Sequence, residues 1–83
     1  MSLRESDLLK VIPTARDVSQ RAGVSLDAEI ISAQYNAYMA SQGREYEYEM
    51  CELQVLLDKL IQRGELNGCV TRLSGVIAKV IVL

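Results

Sequence analysis

Twelve residues, Thr14 to Ser25, constrain this chain more than any others. Thr14 has the character of a helix N-cap, with Asp17 at the capping-box position. Val18 and Ala22 are four apart and share a helix face. Gly23 then supplies a tight turn, where a positive φ is cheap only for glycine. Ser25 is a good N-cap for a following helix, and Asp27 and Glu29 in its first turn suit the helix dipole. Two helices joined by so short a turn must cross sharply and bury small residues where they meet.

The rest of the chain is read outward from this corner. Ser2 to Ile12 predicts a preceding helix, with Ser2 and Glu5 at capping-box spacing and Leu3, Leu8, Leu9 and Ile12 as its stripe; Pro13 is expected to end it. Leu26 to Ser41 predicts a third helix with two apolar faces. Leu26, Ile30, Ala33, Ala37 and Ala40 lie on one, and Ile31, Tyr35, Tyr38 and Met39 lie nearly opposite. A helix apolar on two faces is buried on two sides. The small face suits close packing inside the domain, and the large face suits a second layer or another chain. Gly43 ends this helix. Glu45 to Met50 alternates with strand spacing, and also reads as a charged loop. Leu53, Leu56, Leu57, Leu60 and Ile61 form the clearest stripe of all, closed by Arg63 and Gly64, with Val55 off the stripe and exposed.

The tail from Asn67 to Leu83 fits two descriptions. Val76 to Leu83 is rich in β-branched residues, and Ser74-Gly75 is a turn dipeptide, which favours a β-hairpin. Val70, Leu73, Ile77, Val80 and Ile81 also fit a helical stripe. The expected fold is therefore mainly α (α+β): a single domain over 1–83, with three to four helices and a small C-terminal β-hairpin. Phe and Trp are absent, so the core must be aliphatic.

Net charge is −2, unevenly spread: residues 25–50 carry −4, while the segments on either side each carry +1. An acidic middle repels phosphate without excluding a basic patch elsewhere. The chain has no His, no glycine-rich phosphate loop and no metal-ligand spacing, so no catalytic residue, metal or cofactor is expected and an enzyme is not. Cys51 and Cys69 read as reduced, partly buried thiols of a cytoplasmic protein. No apolar run is long enough to span a membrane, and no small-molecule substrate is implied.

Asp17-Val18, Ser19 and Ala22-Gly23-Val24-Ser25 stand in the order and spacing of the LacI-type repressor heads, which this stretch resembles, and more loosely of TetR-type heads. The resemblance implies a helix-turn-helix whose second helix enters the major groove, opening with Ser25, Leu26, Asp27 and Ala28. The chain departs from the family at Glu29, where an apolar residue is usual, and its only charges between Val24 and Gly43 are Asp27 and Glu29. Any DNA contact is then expected from Arg16, Arg21, Ser25, Lys59, Arg63, Arg72 and Lys79. Leu56 to Gly68, followed by Ser74-Gly75-Val76-Ile77, resembles the end of a winged-helix domain of the kind found in PCI-type subunits of large complexes, which often bind protein. Glu52-Leu53-Gln54, Asp58-Lys59, Asn67 and Val70-Thr71-Arg72 resemble the C-terminal half of type III secretion needle subunits, which implies a helical tail.

Two functions follow as expectations. One is a small regulator that binds DNA. The other is a protein-interaction module or homodimer, such as an adaptor, an inhibitor or a subunit of a phage or secretion apparatus. Its contact face would be Ile31, Tyr35, Tyr38 and Met39, with Val55.

Overall fold

The computed structural model describes residues 3–44 and 47–83. Its first element, α1, runs unbroken from Glu5 to Ala22 with Pro13 inside it, so the two expected helices are one and the described residues form three helices, against the three to four expected. The capping residue Ser2 lies outside the described residues. An interior proline costs about 3 kcal/mol. Against it stands one stripe that crosses the proline: Leu8, Val11, Ile12 and Ala15 are all within 4 % of full burial. Burying an aliphatic side chain stabilises by about 1.5–3 kcal/mol, so the stripe outweighs the proline, whose ring faces solvent. Gly23, at φ 70, ends α1: its N–H reaches the Gln20 carbonyl and that of Val24 reaches Ser19. Both are the bonds of a left-handed helix stop.

Leu26–Asp27 then forms a two-residue strand, β1, which the sequence did not announce. Asp27, and not Ser25, caps the next helix, accepting from the Ile30 N–H at 3.0 Å. Helix α2 spans Ala28–Ser41 and α3 spans Met50–Gln62. Between them, Glu45 and Tyr46 lie outside the described residues; Glu47 to Glu49 form no strand, and Met50 opens α3.

The tail is a hairpin of β2, Gly68–Leu73, and β3, Val76–Val82. This excludes the helical tail that the needle-subunit resemblance implies. Ser74 and Gly75 turn the corner with φ of 53° and 80°, the two positive values of the tight turn that matches strand twist. The three strands form one antiparallel sheet in the order β1-β3-β2. Leu26 pairs with Val82 and Gly68 also pairs with Val82, so β3 is central. One extra residue on β3 shifts the register between Thr71–Lys79 and Arg72–Ile77. All three helices supply the core, with Leu53, Leu57 and Leu60 of α3 fully buried against Val80 and Val82 of the sheet.

Candidate functional site

Two surfaces were expected to act, and the fold treats them differently. The expected contact face of α2 is inside the molecule. Ile31 is 0 %, Tyr35 1 % and Met39 5 % exposed. Tyr35 stands edge-on to Tyr48 at 5.8 Å between ring centres. Burial raises the Tyr35 phenol above its ordinary pKa, with a backbone hydrogen bond at Arg4 acting the other way. Of this face only Tyr38 is partly open. The face is core because a chain with so few aromatics has nothing bulkier to fill the space between α1 and α3. The small face is divided: Leu26 is buried and Ile30 partly so, while Ala33, Ala37 and Ala40 are exposed.

An open cleft of about 680 Å³ lies beside it, lined by Ser32, Asn36, Ala37, Glu47, Tyr48 and Met50 among others. Three of its polar side chains bond to one another. Tyr48 donates to Asn36 Oδ1 at 2.8 Å, and its oxygen lies 2.6 Å from Ser32 Oγ. Nothing there is positioned as a nucleophile beside a base.

The expected basic residues are scattered. Arg16 and Arg21 lie in the second half of α1, Ser25 is exposed in the turn after it, Lys59 and Arg63 are at the end of α3, Arg72 is on β2 and Lys79 on β3. Arg63 binds Glu5 at 2.5 Å, at the start of α1. Sixteen residues of helix separate that start from Arg21, roughly 24 Å. The seven residues therefore make no single patch.

Most of these cations are also engaged. Arg21 pairs with Asp17 at 3.0 Å, Arg63 with Glu5 and Glu65, and Arg72 with Asp58. The two carboxylates on Arg63 raise its pKa and hold its charge. Arg16 donates to the Leu83 carbonyl at 2.9 Å. Lys59 and Lys79 are exposed, with no ion pair among the described residues.

Asp58 and the apolar side chains at the hairpin tip, Leu73 and Val76, were not among the site residues expected from sequence. Asp58 is 9 % exposed, between Leu57 and Leu60 on the buried side of α3. It accepts from Gln62 Nε2 and from Arg72, tying α3 to β2. A charge inside a leucine stripe is a visible signal, but its partner is fourteen residues away. At the tip, Leu73 and Val76 are each 68 % exposed. Val55 is 45 % exposed, as expected, and sits on the outer side of α3.

Cys51 and Cys69 are free and exposed, not partly buried as expected. Among the described residues no three Cys, Asp or Glu side chains gather as metal ligands, and no helix is long and apolar enough to cross a membrane. Comparison with models of protein families, with curated proteins and with solved structures finds no match for this chain.

Proposed function

We propose that this chain is a non-enzymatic regulatory module of winged-helix type, and that it acts through contacts with protein. The order helix, short strand, two helices, hairpin, with β3 central, fits the winged-helix plan. In that plan the paired helices are α2 and α3, and not the 14–25 segment. The wing is the β2–β3 turn, and the helix that would read a groove is α3.

The charge on that helix carries the choice of partner. Glu49 precedes α3 and Glu52 lies in its first turn, both exposed. A groove-reading helix meets DNA with its N-terminal turns, where these carboxylates would face phosphate. Lys59 is the one exposed cation within α3, and Arg63 just after it is already neutralised by two acids. Phosphate contacts supply essentially all non-specific affinity for DNA and a large share of specific affinity. The exposed apolar groups, Val55, Leu73 and Val76, suit a protein surface better. Two exposed free thiols fit a reducing, cytoplasmic setting.

Duplex binding is the second reading, favoured by the exposed side chains of Lys59 on α3 and Lys79 on β3, neither of which has an ion pair among the described residues. Fluorescence anisotropy of a labelled duplex of arbitrary sequence, titrated at low and then moderate salt, separates the two. The expected result is no salt-sensitive binding. Binding that falls steeply with added salt would sink the protein reading, and Lys59→Ala and Lys79→Ala would then locate it.

A further inference from the structure

We propose that the free edge of β2 pairs antiparallel with β2 of a second copy of this chain, joining two three-stranded sheets into one of six strands. The inference rests on the protein-contact reading above and names the partner.

Strand β2 is the outer strand of the sheet, bonded to β3 on one side and to no described strand on the other. Edge strands are commonly blunted by Pro, Lys, a bulge or very short length. β2 has six residues, no Pro and no Lys, and the register shift is absorbed by an extra residue on β3, which leaves β2 regular. Its one charge is Arg72, which is tied to Asp58 of α3 and so faces inward.

The outward row of β2 is the alternate set Cys69, Thr71 and Leu73, all exposed. Each stands beside its β3 partner on the same face: Ile81, Lys79 and Val76. A two-fold axis at Thr71 sets Thr71 against Thr71 of the second copy, and Leu73 against Cys69. Val76 and Leu73 of one copy then continue into Cys69 and Ile81 of the other. The result is an apolar row of Val76, Leu73, Cys69 and Ile81 across four strands, made twice by symmetry. Leu73, exposed at the tip of the single chain, gains Cys69 of its twin as a cross-strand neighbour.

The charges tolerate this register. The two Lys79 residues stand three strand spacings apart, roughly 14 Å, beyond the screening length of about 8 Å at physiological salt. A basic or acidic partner strand would gain nothing here, since the outward row of β2 is uncharged. An edge of this size makes a small interface, so the dimer is expected to depend on concentration.

Two experiments test the pairing. Sedimentation equilibrium of the full chain over a range of concentrations should show monomer and dimer. Thr71→Lys, which opposes two lysines across the axis, should weaken dimerisation about tenfold and leave the circular dichroism and melting of the dilute chain unchanged. In a Cys51→Ser background, Leu73→Cys should form a covalent dimer on mild oxidation, with peptides linking position 73 to Cys69 of the other copy. Within one chain these positions are four residues apart on one strand, roughly 13 Å, out of disulfide reach.

A chain that stays monomeric and gives no 69–73 link overturns the pairing. So does a dimer that Thr71→Lys leaves intact, because it then uses another surface. Neither result touches the protein-contact reading, which falls only to salt-sensitive duplex binding.

Discussion

The sheet has two edges, and they are finished in opposite ways. β1 is two residues long and runs at once into α2: Leu26 is 3 % and Ala28 5 % exposed, and Asp27 between them caps the helix. β2 is six residues long, and no described element lies beyond it. One edge is closed by its shortness and by the helix that follows. The other keeps its backbone groups and its outward side chains free. In a chain of 83 residues the core is small, and among the described residues it closes only one of the two edges. Helix α2 repeats the contrast across its own width, with Tyr35 buried on one face and Ala33, Ala37 and Ala40 open on the other.

The sharpest way to break the comparison is to cut the same amount from each edge. Leu26→Ala should cost about 2–5 kcal/mol, the range for emptying a buried leucine site. Leu73→Ala, made where the side chain is 68 % exposed, should stay within about 0.5 kcal/mol. Urea unfolding of dilute protein measures both. Equal losses would mean that the hairpin tip is packed and the edge is not open.

Gly68 tests how tightly the open strand is held on its inner side. A Cβ there would lie 2.4 Å from the Ile81 carbonyl oxygen and 3.0 Å from Ile61 Cδ1. The first of these is backbone and cannot move without disturbing the ladder. Gly68→Ala should therefore cost about 1–3 kcal/mol, read as a lower urea midpoint. A neutral result would show that β2 is loose on β3 as well as free on its edge.

Arg72→Ala removes the Arg72–Asp58 tether between β2 and α3. Asp58 keeps Gln62 as a donor at 3.1 Å, and Arg72 is 42 % exposed, so the cost should be about 1 kcal/mol. Because Arg72 faces inward, dimerisation of the variant should match wild type. A dimer lost with Arg72 would place the contact on the wrong side of the strand.

These effects also mark what could be read before the structure. The hairpin and the α3 stripe were legible because their signals are local: β-branched residues around Ser74-Gly75, and leucines at helical spacing from Leu53 to Ile61. Pro13 misled because the rule against proline is local, whereas the stripe from Leu8 to Ala15 that overrides it draws its energy from α2. β1 has no signal of its own; Leu26 and Asp27 are a strand only because Val82 and Ile81 return beside them. The two faces of α2 were both visible, but not which would be inside. That is decided by the volume left between α1 and α3, where Tyr35 fits and alanine would leave space. The basic residues were visible one by one, while their acids lie as far away as Glu5 from Arg63.

The smallest effect expected at neutral pH concerns that choice of face. Tyr35 is buried, and burial raises its phenol pKa above the ordinary 10.0. Below that value the phenol is protonated in both the folded and the unfolded chain, so its titration contributes nothing to the pH dependence. As pH rises past it, the unfolded chain ionises first and is stabilised, and folding stability is lost toward the higher folded pKa. Urea midpoints measured from pH 8 to about 11 should fall at the alkaline end. Tyr35→Phe keeps the ring and the edge-on contact with Tyr48 and removes the proton, so its midpoint should fall less. If Tyr35→Phe left the alkaline loss unchanged, the Tyr35 phenol would not be the buried group that drives it, and its face of α2 would not belong to the core.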